Sequence, residues 1–410
     1  MTVGEAAHDA IRRCRWIAQQ TEEPGRITRT FLSPPMRAVH NELSTWMAAV
    51  GMQTTIDAAG NLRGVYPGAS GISRRLYLGS HLDSVPGAGA FDGVLGVVMA
   101  IALVHLVAPH RLPFGIEVIG FSEEEGVRFS MPFIGSRAFA GTLDEATLTA
   151  RDSTGISVRE AISGFGLDPA RLGEARFAAS PLGYLEFHIE QGPVLEDNDL
   201  AVGIVQAIAG QSRAEVAFRG RAAHAGTTPM TMRHDALAGA AEWIGNVEAM
   251  ALGTAGLVAT VGRATVSPGA ANVIPGECAL TVDVRHANDP IRHDALERLK
   301  TVAQAIAARR ALTIEWRPYL DQPATCMTPS FVSILERAAS AAGATAPLMT
   351  SGAGHDAMVV APHMPVGMLF VRSPGGISHH PDETVREEDV AVALSTGLNA
   401  LELLAGTVDG

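Results

Sequence analysis

Three histidines and a set of carboxylates stand where short apolar runs stop. His81 and Asp83 follow the run Leu76 to Leu78, and Asp92-Gly93 opens the apolar segment Val94 to Val107. Ser122-Glu123-Glu124-Glu125-Gly126 follows Ile116 to Phe121, His188 lies near the end of Tyr184 to Ile189, and His379 follows Gly375-Gly376-Ile377-Ser378. Imidazole and carboxylate together suit zinc, or manganese where oxygen donors dominate. Each feature has a plainer reading: a strand histidine is more often structural, and three adjacent glutamates are more often a solvated charge run. Set directly after an apolar strand, however, neighbouring carboxylates can divide roles, one binding metal and the next accepting a proton. Pooled, His81, Asp92, the Glu123–Glu125 cluster, His188 and His379 supply donors for two metals, with Asp92 shared.

Such side chains converge only if the apolar runs are strands of one sheet, because ligands gather outside the carboxyl ends of strands in α/β sheets. The spacing predicts an α/β chain. Helices are expected over Ala6 to Gln20 and from Ser33-Pro34-Pro35, with Ser33 as N-cap and Gly51 past the end. Thr54 to Ile56 and Leu62 to Tyr66 read as a hairpin. From Arg213 the order becomes strand, helix, strand, strand, helix, strand, ending at Trp316: the ferredoxin-like arrangement of a small α+β domain. Asp321-Gln322-Pro323 reads as the way back. The expected division is a discontinuous catalytic domain over 1–211 and 323–410, with a mixed central sheet flanked by helices, and an inserted domain over 212–322.

Composition removes several function classes. A chain of 410 residues suits two domains, and 47% hydrophobic with 18% charged residues suits a sizeable core. The net charge of −12 offers no basic surface for nucleic acid or an anionic membrane. Cys14, Cys278 and Cys326 are far apart, odd in number and without metal spacing, so they read as reduced thiols. Lys300 is the single lysine, in a helical stretch, which argues against Schiff-base and P-loop chemistry. No stretch reads as a signal peptide, and the segment Val94 to Ala108 is too short to span a bilayer, so a cytoplasmic protein is expected.

Longer stretches are more specific. Gly79-Ser80-His81-Leu82-Asp83-Ser84-Val85, Phe91-Asp92-Gly93, Glu124-Glu125-Gly126-Val127-Arg128-Phe129 and His188-Ile189-Glu190-Gln191-Gly192 are followed by Gly220 to Met230, Asn272 to Gly276, Ser351 to Asp356 and Gly376-Ile377-Ser378-His379. In this order the chain resembles the M20-type metal-dependent amidohydrolases, in the branch of N-carbamoyl-L-amino acid hydrolases, β-ureidopropionases and allantoate amidohydrolases. The resemblance implies two divalent ions per subunit, zinc or manganese, with nickel or cobalt also tolerated. It implies His81 and His188 on one ion, Glu125 and His379 on the other, Asp92 bridging, Asp83 orienting His81, and Glu124 as general base. Glu123 and His380 are the neighbours that could take the places of Glu124 or Glu125 and of His379.

The resemblance further implies that Arg285 grips a substrate carboxylate, a task suited to a bidentate guanidinium. Its plainer reading is a surface salt bridge. His224 and Asn272 would reach the carbamoyl oxygen and substrate backbone, His224 across a homodimer interface formed by the inserted domain, and Gln191 and Gly354 would line the pocket. The activity expected is hydrolysis of the ureido C–N bond of an N-carbamoyl-L-amino acid, giving amino acid, CO2 and ammonia. Allantoate amidohydrolysis or β-ureidopropionase activity is the alternative, and an M20-type peptidase stands behind both. The expected partner is a small ureido carboxylate.

Overall fold

A computed structural model describes residues 1–69, 74–108, 112–178 and 180–408. The chain forms two compact units, Met1–Gln206 with Met327–Gly410, and Ala207–Cys326. The strands, in chain order, begin with β1 (Gln53–Ile56), β2 (Leu62–Tyr66), β3 (Arg75–His81), β4 (Gly115–Phe121), β5 (Pro181–Ile189) and β6 (Val202–Ile208). They continue with β7 (Gly210–Arg219), β8 (Ala223–His224), β9 (Val258–Ser267), β10 (Val273–Ile274), β11 (Glu277–His286) and β12 (Thr313–Gln322). The last three are β13 (Thr325–Cys326), β14 (Leu348–Ser351) and β15 (Val366–Val371).

Among the described residues a nine-stranded sheet runs β1-β2-β4-β3-β5-β15-β6-β13, with β14 also paired to β6. The four central strands, β4, β3, β5 and β15, are parallel. Strands buried on both faces read as apolar runs, which is why Val366 to Val371 and, despite the buried Glu117, Ile116 to Phe121 were visible in the sequence. The outer pairs β2–β4 and β15–β6 are antiparallel, making the sheet mixed. Register sets His81 opposite Phe121 and His188 opposite Phe370, so β3, β4, β5 and β15 end along one edge.

The helix Val94–Val107 lies in the core, with every residue except His105 and Leu106 buried, as a helix apolar on all sides must be. Its start is shaped by close approach. Gly93 takes φ +66°, and a Cβ there would lie 2.4 Å from the His81 ring. Only glycine lets the residue after Asp92 pass the imidazole.

Several sequence expectations are corrected. Ser33 sits at the N-cap position of Pro34–Ala49, yet its hydroxyl makes no capping bond. Asp321 and Gln322, read as linker, pair with Ser212 and Gln211 inside β12. The compact units therefore divide at 206/207 and 326/327 instead of 211/212 and 322/323. Helix Glu387–Thr407 is longer than Val94–Ala108 and apolar enough to cross a membrane. Its Val390, Ala393, Leu394, Ala400, Leu401 and Leu404 belong to the main core, and Glu387, Glu388 and Asp389 open it, so it is read as a core helix.

The smaller unit has the sheet order β12-β7-β11-β9, every pair antiparallel. Helices Ala236–Leu252 and Asp289–Arg309 cover one face, and Trp243, Phe218, Leu299 and Ile306 form a core of its own.

One buried group in the larger unit gives a pH signature. His40 packs edge-on against Phe165, ring centroids 5.9 Å apart, and neither ring nitrogen has a partner. Burial, assisted by Arg37, pushes its pKa down to about 4. A histidine depressed on folding contributes stability above its unfolded pKa, lost as pH falls through the folded value. His40→Leu should therefore lose less stability than wild type between pH 6.5 and pH 4, by at most roughly 3 kcal/mol, in urea titrations; parallel curves would contradict it.

Candidate functional site

The edge where β3, β5 and β15 end gathers the histidines. His188 Nε2 is 3.3 Å from Asp92 Oδ1, and His81 Nε2 is 3.8 Å from the same oxygen. On the other oxygen, His379 Nε2 lies 3.1 Å from Asp92 Oδ2 and 3.5 Å from Glu125 Oε1. Asp92 is thus flanked on both sides by imidazoles. Three groups of donor atoms lie close enough together to hold an ion: His81, Asp92 and His188; Asp92, Glu125 and His379; and His81, Glu124 and Glu125.

The ring orientations bear on what fits there. His81 Nδ1 faces the Asp83 carbonyl at 3.1 Å and His188 Nδ1 faces the Ile189 carbonyl at 2.9 Å. Carbonyls only accept, so each Nδ1 carries a hydrogen and each Nε2 is assigned as a lone pair. The two Nε2 atoms are 3.5 Å apart and both face a carboxylate. Acceptors pointed at one another require a cation or a shared proton between them. The donor set of neutral imidazoles and carboxylates fits a divalent metal.

Charge balance points the same way. Burial, with its neighbouring imidazoles, drives His188 down to about 4, which keeps it a neutral donor. Burial also opposes charge on His81, but Asp83, Glu124 and Asp92 outweigh it and raise its pKa. Asp92 stays ionised: its burial is outweighed by the hydrogen bond from His379 and by the neighbouring imidazoles. Burial raises Glu124, and it lifts Glu125 to about 7 with help from Asp92. The hydrogen bond to Asp92 carries His379 to about 9.

The glutamate triplet resolves by direction. Glu124 and Glu125 face the cluster, whereas Glu123 Oε1 turns back to accept from the Val127 N–H. His380 is exposed, bonded through Nδ1 to the Asp382 N–H, while His379 reaches Asp92. Asp83 has a part beyond the expected one. Its carboxylate is 3.5 Å from His81 Nδ1 and accepts the N–H groups of Glu124 and Glu125 at 3.0 and 3.1 Å. It holds the glutamate turn as well as facing the His81 ring, whose Nδ1 it shares with the Asp83 carbonyl.

Gln191, expected to line the pocket, places Nε2 at 3.2 Å from both Asp92 oxygens and 3.4 Å from His379 Nε2. Both Gln191 and His379 have positive φ, at 58° and 55°, conformations that accumulate at functional sites. A methyl group built on Gly354 would lie 3.9 Å from Glu124 Oε1, so this glycine borders the cluster. His224, Asn272 and Arg285 belong to the smaller unit. His224 is exposed on β8 opposite Val273, its Nδ1 accepting from Gly226 N–H, and Asn272 carbonyl accepts from Ala225 N–H. Arg285 Nε and Nη2 bond Asp283 at 2.8 and 3.0 Å.

Four groups beside the cluster escaped the sequence reading of site residues. His355 packs against His188, centroids 4.4 Å apart, and bonds Ser351 Oγ at 2.8 Å. Asp356 is fully buried, among Glu186, Asp83 and Ser136. Glu186 accepts from Ser80 Oγ and Ala357 N–H, and burial brings it to about 7. Glu383, also brought to about 7 by burial, accepts the N–H of Asp92. Glycine-rich Ser351–Asp356 signalled the first pair, but nothing local signalled Glu186 or Glu383.

Comparison with known proteins follows the same lines. The model of the peptidase family M20/M25/M40 matches residues 77–403. N-carbamoyl-L-amino acid amidohydrolase of Geobacillus stearothermophilus is 39% identical over 90% of this chain and 91% of its own. Allantoate deiminase of Arabidopsis thaliana is 37% identical over 97% of this chain and 81% of its own. Among solved structures, an amidase of the hydantoinase/carbamoylase family from Burkholderia multivorans superposes with TM-score 0.92 at 31% identity, covering 97% of this chain and 98% of that one.

The two sides of Asp92 differ in exposure: His81 and His188 are buried, and the His379 side chain is 48% exposed. Chelator should therefore reach metal held at Asp92 and His379 from solvent, and His379→Ala should speed metal release from loaded protein. Release followed with a chromogenic chelator tests this; an unchanged rate in His379→Ala would contradict it.

Proposed function

The chain belongs to the peptidase M20/M25/M40 family and is an amidohydrolase acting on C–N bonds, and from that premise we propose that it cleaves the ureido C–N bond of N-carbamoyl-L-amino acids. The observation that carries the proposal is the convergence of three imidazoles and Glu125 on the single carboxylate of Asp92, with Glu124 alongside. His81 and His188 are assigned to one ion, Glu125 and His379 to a second, and Asp92 to both. Two divalent ions there, zinc or manganese, would supply Lewis acidity toward the carbamoyl carbonyl and acidify water.

The chain's own residues do the rest. Glu124 accepts a proton from the attacking water on its carboxylate and returns it to the departing nitrogen. Its burial favours holding that proton between the two transfers. Asp83 keeps the Glu124–Glu125 turn in place by accepting both N–H groups. Arg285 is assigned to the substrate carboxylate, and its planar fork, already oriented by Asp283, is preorganised for that task. His224 and Asn272 are assigned to the carbamoyl oxygen and the substrate backbone, and Gln191 and Gly354 to the pocket wall. Assembly as a homodimer through the smaller unit and a cytoplasmic location are part of the same proposal. The dimer rests on the resemblance of Gly220 to Met230, which carries His224, to the family's pattern.

A second reading, allantoate amidohydrolysis, rests on the similarity to the plant allantoate deiminase, 37% identical over 97% of this chain. A panel of N-carbamoyl-L- and D-amino acids, β-ureidopropionate, allantoate and dipeptides, assayed after manganese or zinc loading, separates the readings. Turnover is expected highest with an N-carbamoyl-L-amino acid; preference for allantoate selects the second reading, and preference for dipeptides rejects both. Glu124→Gln should retain both ions and lose roughly 10²–10⁴-fold in kcat, the range of general-base catalysis. Wild-type kcat in that variant would remove Glu124 from the role.

A further inference from the structure

Asp92 lies in the irregular stretch between β3 and the helix Val94–Val107, where the strands do not fix its backbone. Glu383 does. Its Oε1 accepts the N–H of Phe91 at 2.9 Å and of Asp92 at 3.0 Å. Its Oε2 accepts the hydroxyl of Ser378, the residue before His379, at 3.2 Å. That hydroxyl in turn accepts from Gln191 Nε2 at 3.1 Å, the same amide nitrogen that reaches both Asp92 oxygens. One buried side chain therefore ties the backbone of Asp92 to the turn carrying His379, across 291 positions of sequence.

The fit is tight. Glu383 is 5% exposed, and a Cβ at Gly89 would lie 2.2 Å from the Glu383 Cβ, so the loop closes over this side chain only where residue 89 has none. His379 itself is held at φ 55°, a conformation that needs support from its surroundings. The Asp92 Oδ2 to His379 Nε2 distance of 3.1 Å depends on both backbones staying in place. Glu383 belongs to none of the three ion-holding sets; its hydrogen bonds reach them through the Asp92 backbone and Ser378.

We infer that Glu383 is the positioning residue for the exposed side of the metal centre: it fixes the bridging carboxylate and the third imidazole relative to one another, and so sets the affinity for the ion between Asp92, Glu125 and His379. The inference rests on the amidohydrolase reading above. Groups that orient metal ligands in this way are worth about 10–100-fold in metal affinity.

The test is titration of metal-free protein with manganese and with zinc against a chelating indicator, paired with thermal melting of the metal-free protein. Glu383→Ala should weaken the weaker of two binding events by about 10–100-fold. Glu383→Gln keeps an oxygen for the two N–H groups and can donate to Ser378, so it should return affinity to within about threefold of wild type. Ser378→Ala, which removes only the hydroxyl link, should weaken the same event several-fold with the metal-free melting temperature unchanged. Wild-type affinity in a folded Glu383→Ala protein overturns the inference. So does a Glu383→Gln protein as weak as Glu383→Ala, because charge and not geometry would then be the cause. Should Glu383→Ala fail to fold, wild-type affinity in Ser378→Ala overturns it equally. Wild-type protein that takes up neither metal overturns the amidohydrolase reading itself, a separate outcome.

Discussion

Like charges buried together are the constraint that shapes the larger unit. Asp83, Asp92, Glu123, Glu124, Glu186, Asp356 and Glu383 are all buried along one edge of the central sheet. Burying a carboxylate is costly unless charge or hydrogen bonds compensate it. Some compensation comes from backbone N–H groups: Asp83 takes two, Glu383 two and Glu186 one. Arg29, itself buried, bonds the Leu82 carbonyl, and the charge of Asp83 nearby limits the loss of basicity that burial imposes on it. The remaining excess faces His81, His188 and His379. A fold that keeps so many acids in one place is organised for cations.

The sheet explains how such a cluster can exist. Four parallel strands buried on both faces admit charge along their length only where it is matched, Glu117 by Arg63 and Arg75 and Glu186 by Ser80 and the Ala357 N–H, so the histidines and most of the acids stand at the ends. The wholly apolar helix Val94–Val107 seals one face behind them. Glycine at position 93 lets that helix begin against the His81 ring. The same packing that excludes water from the strands delivers imidazole and carboxylate to one edge.

Much of this was legible in the sequence because short apolar runs ending in His or Glu are local features. His81, Asp92, His188 and the glutamates were visible for that reason. The rest depends on distant contacts. Glu383 reads as one acid in a polar C-terminal stretch until its bonds to Phe91 and Asp92 are seen. Asp83 beside His81 suggested a side-chain contact, which the carboxylate makes at 3.5 Å; that the Asp83 carbonyl shares the ring nitrogen and the carboxylate also holds the glutamate turn could not be read from the sequence. β9 and β12 extend beyond their apolar stretches through exposed polar residues such as Arg263 and Arg317, where ladder pairing sustains the strand and periodicity gives no signal. The C-terminal helix shows that hydropathy over a long window does not distinguish a core from a bilayer.

Ala207 pairs with Cys326 and Ile208 with Thr325, so the chain leaves for the smaller unit and returns from it through one antiparallel bridge. The two ends of the interruption are already neighbours. Loop-closure entropy grows only slowly with the length of what is enclosed, so a hundred-odd residues between such ends strain the host little more than a modest loop. The arrangement lets the interruption change in length without moving the two host strands between which it is set, so the acid-lined sheet edge keeps its geometry whatever size the insertion takes.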